Sequence, residues 1–309
     1  LLSCGLDGAR SDARLLFSED ASRLHGWLYQ DETRARAIVA AMGMTATVST
    51  EAMIFSTKRP LSIGVDGAPG DLKTLLHWLR QFDQSLEVRI RSAIARKDYF
   101  VGASPFLVIA GPNAQIAVTT SLPNAARQYF ERRPREFPNR VLNPRMPPIE
   151  ITRWTVSDAS PEFIYSRNGQ KMLGGKRITL IGAGAIGGYL ADCLVRLGAG
   201  HAGGRLTIID PDTLLPANIG RHRLGMDNVF KGKAEALADR LRSEFPWLDI
   251  RAINEDARIS PSLMSGDLVI DATGDEALGR ALNRAHQRAA GRRKPPPVLY
   301  SWIAGEGEG

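Results

Sequence analysis

Apolar residues recur along this chain at spacings that change twice, and the changes mark out three regions. In the first region, spacings of three and four residues predict helices over residues 5–43 and 71–82. β-Branched residues between 45 and 64 predict strands, and the segment 104–123 predicts a hairpin that turns at a Gly-Pro-Asn sequence. We therefore expect a small α/β or α+β accessory domain over residues 1–133, to which no motif assigns a role.

Prolines interrupt the pattern in the second region, residues 134–161. Six prolines stand there, at positions 134, 138, 144, 147, 148 and 161, and arginines occupy several of the positions between them. Because proline lacks a backbone N–H and favours extended backbone, this composition predicts an extended linker. We place a domain boundary near residue 150.

The third region, residues 162–309, alternates apolar runs with amphipathic segments. The apolar runs are ITLIG at 178–182, RLTIID at 205–210, DLVIDAT at 267–273 and PVLYSWIA at 297–304; the amphipathic segments are 185–197, 231–244 and 276–290. Near-continuous apolar strands that alternate with helices are typical of a parallel sheet with helices on both faces. This region is therefore predicted to be a Rossmann-like α/β domain.

A glycine-rich turn follows the first of these strands. Gly182, Gly184 and Gly187 form the pattern G-x-G-x-x-G, and Asp210 closes the next strand. Such glycines permit a tight turn and let backbone N–H groups approach a phosphate at the N-terminus of a helix. The strand, turn, helix and distal acid together indicate a nucleotide site.

The loop after Asp210 is unusually rich in polar and cationic side chains. It carries Asn218, Arg221 and Arg223, and Lys233 follows. Guanidinium and ammonium groups suit the phosphates of a triphosphate. A nicotinamide dinucleotide has only two bridging phosphates, so this loop disfavours an NAD(P)-dependent oxidoreductase.

At these residues the chain resembles the ThiF/ubiquitin-activating-enzyme superfamily. The matching sequences are GAGAIGG at 182–188, D-x-D-T at 210–213, N-x-x-R at 218–221, Lys233 followed by Ala-Glu, D-A-T at 271–273, and PPVLYSWIAGEGEG at 296–309. The resemblance covers residues 163–309, and a domain fused in front of it is similar to the layout of bacterial members.

The resemblance implies an adenylyltransferase that binds ATP and Mg²⁺. The C-terminal carboxylate of a ubiquitin-like protein, or a related acceptor, attacks the α-phosphate and pyrophosphate leaves. The implied nucleotide-binding residues are Gly182, Gly184, Gly187, Asp210, Asp212 and Asn218, and the implied catalytic residues are Arg221, Lys233 and Arg167. Asp210 is expected to hold the ribose hydroxyls. Arg167 ends a Tyr-Ser-Arg sequence that, in a homodimer, reaches the partner subunit's ATP.

The chain departs from the family pattern in two places. The magnesium ligand of the family lies in a D-x-T-D motif, whereas here Gly274 separates Thr273 from Asp275, so Asp275 is the expected metal ligand one position late. Family members also continue into further strands, often with C-x-x-C zinc pairs and a thioester cysteine. We therefore expect the domain to be incomplete at Gly309.

Composition narrows the remaining classes of protein. The net charge is +7, with arginine clusters at 132–140 and 291–294, but no helix-turn-helix pattern or interleaved aromatic residues accompany them, so we expect no nucleic-acid partner. The two cysteines, Cys4 and Cys193, are too few for a disulfide framework or a four-cysteine zinc site. No membrane span or secretory signal is visible, which predicts a cytoplasmic protein.

Three alternatives to modifier activation remain open. A relative of the family could adenylate a small molecule, a peptide or a tRNA. A nucleotide-binding pseudoenzyme could serve as an interaction module, with its front domain recruiting a partner. The third alternative is the NAD(P)-dependent oxidoreductase that the loop at 218–233 disfavours.

Overall fold

The computed structural model describes most of the chain as two compact units, Leu1–Ser160 and Pro161–Gly309. The described residues are 1–4, 6, 12–19, 24–46, 48–62, 67–100, 105–167, 173–259, 264–290 and 294–302. Most of the second arginine cluster and the end of the last predicted strand lie outside these ranges. Within them, every helix is too short or too polar to cross a lipid bilayer.

The first unit is a closed barrel with helices packed on it. Its strands are β1 (Leu2–Ser3), β2 (Asp12–Glu19), β3 (Leu24–Tyr29), β4 (Val48–Ser56), β5 (Phe106–Ala110), β6 (Gln115–Thr120) and β7 (Ile151–Asp158). Its helices are α1 (Glu32–Ala41), α2 (Leu72–Phe82), α3 (Gln84–Ile94), α4 (Asn124–Arg132) and α5 (Phe137–Leu142). The strand order is β1-β3-β2-β4-β5-β6-β7, and β1 closes the barrel because it pairs with both β3 and β7.

Part of the helix prediction over residues 5–43 is wrong. Asp12–Glu19 and Leu24–Tyr29 form two antiparallel strands, β2 and β3, whereas α1 is helical as predicted; residues 5, 7–11 and 20–23 lie outside the described ranges. Neighbouring residues in these strands are both buried, as Leu15 and Leu16 show, because the barrel interior covers one face and other parts of the unit cover the other. A strand buried on both faces has no strict alternation of apolar and polar residues, so its spacing resembles that of a helix.

Residues 134–160 of the predicted linker are part of the first unit and not an extended linker, and Pro161 begins the second unit. Phe137 of α5 is fully buried among the aromatic residues Tyr99, Phe100 and Phe130, and β7 pairs with β6 from Ile151 to Val156. Pro138 lies in the first turn of α5, where a missing backbone N–H costs no helix hydrogen bond. Pro138 is therefore compatible with an ordered helix.

Cys4 is buried in this unit. Burial raises the pKa of its thiol to about 11, so the thiol is protonated at neutral pH. Because the thiolate is the nucleophilic form of cysteine, this environment argues against a catalytic role for Cys4.

The second unit confirms the predicted parallel sheet. Its strands are β8 (Arg177–Ile181), β9 (Arg205–Ile209), β10 (Ile250–Ile253), β11 (Leu268–Asp271) and β12 (Val298–Tyr300). Its helices are α6 (Pro161–Arg167), α7 (Ala185–Arg196), α8 (Lys233–Glu244) and α9 (Glu276–Ala290). Ile178 and Leu180 of β8 face one apolar cluster and Ile181 faces another, so both faces of the sheet are covered.

The strand order of this sheet places a ligand site at the carboxyl ends of its central strands. The order is β10-β9-β8-β11-β12, with every neighbouring pair parallel. The chain runs from β8 through β9 to β10 and then returns to the other side of β8 with β11. Loops therefore diverge between β8 and β11, and the carboxyl ends of these strands flank the crevice in which α/β sheets of this kind bind ligands.

A buried hydroxyl pair in the first unit gives a direct test of its core. The Tyr99 hydroxyl lies 2.7 Å from Thr120 Oγ1, and both residues are buried. Tyr99→Phe should lower the free energy of unfolding by about 1–3 kcal/mol, since the Thr120 hydroxyl then lacks its buried partner. Tyr129→Phe is the matched control: its hydroxyl bonds to Glu136 and Arg133 at an exposed position where water replaces the lost partner, so the free energy of unfolding should change by less than about 1 kcal/mol. Equal effects in urea denaturation would contradict the placement of Tyr99.

Candidate functional site

The glycine turn between β8 and α7 brings backbone segments into close contact. Gly182 has a φ of +89°, and a Cβ atom there would lie 2.9 Å from Thr273 Cγ2. A Cβ atom on Gly187 would lie only 1.8 Å from the Gly182 carbonyl oxygen. These two glycines are therefore required by the packing of the turn against α7 and β11.

Gly184 has a different role, because it leaves space open. It is the N-cap residue of α7, it makes no side-chain cap hydrogen bond, and a Cβ atom there would meet nothing within 4 Å. The first backbone N–H groups of a helix have no partner inside the helix. At α7 they lie beside an open cavity, which is a favourable place for a phosphate.

That cavity lies at the carboxyl ends of β8, β9 and β11 and has a volume of about 440 Å³. The residues around it that the sequence predicted are Gly182, Gly184, Asp210, Asp212, Lys233 and Asp275. Gly187, Asn218, Arg221 and Arg167 do not line it. The structure thus brings together residues from four separate segments of the chain, and their roles in binding or catalysis remain a prediction.

Asp210 joins the glycine turn to the loop that follows β9. Its buried carboxylate accepts a hydrogen bond from the Ala183 N–H at 2.7 Å and another from the Asp212 N–H at 2.8 Å. Each carboxylate oxygen retains capacity for a further hydrogen bond. A ribose role for Asp210 is compatible with this arrangement and remains a prediction.

Lys233 presents a largely buried ammonium group at the cavity. Its Nζ donates to Asp212 Oδ2 at 2.8 Å, and its backbone N–H donates to the Asp212 carbonyl oxygen at the same distance. The Lys233 side chain is 11% exposed, whereas the Asp212 side chain is 65% exposed. The positive end of the α8 helix dipole repels a lysine ammonium in the first turn of that helix. An anionic ligand would stabilise this ammonium further.

Asn218 and Arg221 lie in the loop beside the cavity. Asn218 Oδ1 accepts a hydrogen bond from the Leu215 N–H at 2.9 Å, so this side chain shapes the turn. Arg221 is exposed, and its guanidinium makes no hydrogen bond or ion pair with the described residues. By contrast, Arg223 pairs with the partly buried Asp192 on α7. Arg221 is thus available to a ligand, while Arg223 fixes the loop to α7.

His222 is a site residue that the sequence did not reveal. Its buried ring accepts a hydrogen bond from the Leu224 N–H at Nδ1, at 3.1 Å, so the proton is on Nε2, which donates to the Ala183 carbonyl oxygen at 2.6 Å. Burial lowers the pKa of His222 from its ordinary value. Because its partners are backbone groups, no side-chain spacing could have identified it.

Asp275 does not fit a magnesium ion in this arrangement. Its Oδ1 accepts the N–H groups of Ala277 and Leu278, at 2.8 and 3.2 Å, and its Oδ2 pairs with Arg258. These hydrogen bonds, the one from Leu278 foremost, hold the pKa of Asp275 below its usual range. Among the described residues, no group of three His, Cys, Asp or Glu side chains is placed to hold a metal ion. We therefore derive no metal-dependent step.

Arg167 ends α6, outside the cavity. Its side chain is exposed, and the residues that follow, 168–172, lie outside the described ranges. Its contribution to a partner subunit remains a prediction.

Two glycines of the motif should respond differently to the same substitution. Gly187→Ala should lower the free energy of unfolding by about 1–3 kcal/mol, because its Cβ would displace the Gly182 carbonyl. The new Cβ atom of Gly184→Ala would lie in open space, so this substitution should lower the free energy of unfolding by less than about 1 kcal/mol. Chemical denaturation of the two variants checks the difference; equal stability would contradict the close packing at Gly187.

His222 should make stability depend on pH. Its folded-state pKa lies below the unfolded value of about 6.5, so the unfolded chain binds the proton more readily. The free energy of unfolding should therefore fall as the pH drops below about 6.5, until the folded pKa is passed. His222→Gln removes the titrating group, so its stability curve should fall less steeply in this pH window. Parallel curves for the two proteins would contradict a buried neutral His222.

Comparison with known proteins identifies relatives of the second unit. Residues 159–301 match the ThiF family. The ATP-dependent ubiquitin transferase-like protein Cap2 of Pseudomonas aeruginosa is 45% identical over 163 residues, which are 52% of this chain and 28% of that protein. The Vibrio cholerae Cap2 protein is 29% identical over 276 residues, 86% of this chain and 46% of that protein.

A relative with a different name also matches part of this chain. Molybdopterin-synthase adenylyltransferase of Escherichia coli is 31% identical over 123 residues, 38% of this chain and 48% of that protein. The chain spans less than half the length of each of these three relatives. The resemblance expected from the glycine turn and the loop after Asp210 is confirmed: residues 159–301 match the ThiF family.

Proposed function

We propose that the second unit binds ATP in the cavity beside α7 and adenylates a carboxylate acceptor, with the C-terminus of a ubiquitin-like protein as the leading candidate. The observation that carries this proposal is the position of Lys233. Its ammonium group is largely buried at the mouth of a cavity, and the acid it pairs with is mostly exposed. A phosphate group would satisfy both this ammonium and the unpaired N–H groups that begin α7.

The names of the relatives support the same activity. Two of them are called ATP-dependent ubiquitin transferase-like and a third is called an adenylyltransferase. These names favour ATP over a nicotinamide dinucleotide. They also favour a protein acceptor over a small molecule.

The proposed reaction needs positioning and charge stabilisation more than proton transfer. An oxygen of the acceptor carboxylate forms a bond to the α-phosphorus, and the bond from that phosphorus to the oxygen bridging to the β-phosphate breaks. The products are an acyl adenylate and pyrophosphate. Negative charge accumulates on the α-phosphate and on the departing pyrophosphate, and fixed cations stabilise both.

The residues of the site divide these tasks. The N–H groups at the start of α7 hold phosphate oxygens, and Asp210 accepts hydrogen bonds from the ribose hydroxyls. Lys233 and Arg221 stabilise the charge that develops during transfer, and Asn218 shapes the loop that carries Arg221. In a homodimer, Arg167 would supply a further cation to the site of the partner subunit.

A nucleotide-binding interaction module is the second candidate. The observation that favours it is the ion pair between Arg258 and Asp275, which occupies the carboxylate expected to bind magnesium. Such a protein would bind ATP and transfer nothing.

Pyrophosphate exchange tests the proposed activity. Labelled pyrophosphate should enter ATP when a ubiquitin-like protein ending in Gly-Gly is present, and should not when its C-terminal carboxylate is amidated. Arg221→Ala and Lys233→Ala should each lower the exchange rate by about 10²–10³-fold, because each removes a cation that stabilises the transition state. Arg284→Ala is the matched control, because this arginine is exposed on α9 and does not line the cavity. Its exchange rate should equal that of the wild type.

The other outcomes separate the candidates. ATP binding without exchange, with any acceptor, would favour the interaction module. Exchange that depends on a tRNA or a small acid would change the class of acceptor. Oxidation or reduction of a nicotinamide cofactor would contradict adenylation.

A further inference from the structure

The region around Asp275 departs from the arrangement that its family would suggest, and the departure has a local cause. Gly274 has a φ of +70°, a conformation that glycine adopts readily. After this turn, the Asp275 N–H donates to Thr273 Oγ1 at 3.1 Å and the Asp275 carboxylate caps the N-terminus of α9. The inserted glycine thus makes Asp275 a helix cap.

The free side of the Asp275 carboxylate is occupied by Arg258. This arginine lies in the short turn Ala257–Ile259 that follows β10, and its Nη2 donates to Asp275 Oδ2. Asp256 is its second partner. Asp256 Oδ1 accepts a hydrogen bond from the backbone N–H of Arg258 at 2.9 Å, and Asp256 Oδ2 accepts one from Arg258 Nη1 at 3.4 Å. Asp256, Arg258 and Asp275 all line the cavity that contains Lys233.

We propose that the guanidinium of Arg258 takes the place of a magnesium ion held by Asp275, so that ATP binds in this cavity without a metal ligand from the protein. This inference rests on the proposed ATP site. Arg258 is held by two carboxylates that face the cavity, and it is 48% exposed, so it is accessible to a ligand. A guanidinium has five N–H donors, and donors that Asp256 and Asp275 do not use can bind phosphate oxygens.

The coordination chemistry of magnesium disfavours the alternative. Mg²⁺ requires near-octahedral oxygen ligands at about 2.0–2.1 Å. At Asp275, the N–H groups of Ala277 and Leu278 take both lone pairs of Oδ1 and Arg258 pairs with Oδ2, so a magnesium ion on the remaining site would lie next to a guanidinium that repels it. With Arg258 in place, the positive charge next to the phosphates belongs to the protein.

Calorimetric titration with ATP, in MgCl₂ and in EDTA, tests this inference. For the wild type, the dissociation constants in the two buffers should agree within about threefold, because the protein supplies the cation. Arg258→Ala should weaken binding in EDTA by about tenfold or more, the loss expected for a charge-assisted hydrogen bond. Magnesium should restore part of this loss, since Asp275 is then free to coordinate it.

Matched variants and the possible results keep the two proposals distinct. Arg284→Ala, outside the cavity, should bind ATP as the wild type does in both buffers, and Arg258→Lys should retain part of the EDTA-resistant binding. Wild-type binding that disappears in EDTA, or Arg258→Ala binding that matches the wild type, would overturn the role of Arg258 and leave the ATP site standing. Failure of every folded variant to bind ATP in either buffer would overturn both.

Discussion

The buried carboxylate of Asp210 is the interaction on which the candidate site depends. It joins the backbone of Ala183 in the glycine turn to the backbone of Asp212 in the loop after β9. Hydrogen bonds to an ionised acceptor contribute about 1.5–3 kcal/mol each. Asp212 in turn fixes Lys233 through its carbonyl oxygen and its side chain. One carboxylate therefore sets the relative positions of the phosphate turn and the cation that faces it.

His222 supports the same turn from a later position in the loop after β9. It holds the carbonyl oxygen of Ala183 while Asp210 holds the N–H of that residue. The peptide groups on either side of Ala183 are thus fixed by side chains from two different segments. Such fixation keeps the N–H groups at the start of α7 directed into the cavity before any ligand arrives, which is the preorganisation that electrostatic catalysis requires.

The second unit was largely predictable from the sequence, and the first was not. Apolar runs such as the one that ends at Ile181 predict central parallel strands, and the glycine spacing locates the turn, because each feature is local. In the first unit, Leu15 and Leu16 are both buried in one strand of a closed barrel, and this doubly buried pattern resembles a helix. Pro138 begins a helix within a region whose composition predicted a linker.

Within the site, the sequence located the residues that belong to motifs and missed those that act through distant partners. Arg258 and Asp275 are separated along the chain and meet only because β10 and β11 lie on opposite sides of β8 with their ends at the same edge. His222 bonds to backbone groups, which leave no trace in side-chain spacing. Long-range contacts and backbone partners are the two kinds of information that a motif does not carry.

The central claim is that a triphosphate lies between the start of α7 and two cations that follow β9, Arg221 and Lys233. A crystal structure of the chain with a non-hydrolysable ATP analogue tests it most directly. The account predicts phosphate oxygens within hydrogen-bond distance of the Ala185 N–H and of Lys233 Nζ, with the guanidinium of Arg221 turned toward them. Phosphates bound elsewhere, or an analogue in this cavity that leaves Lys233 paired only with Asp212, would contradict it.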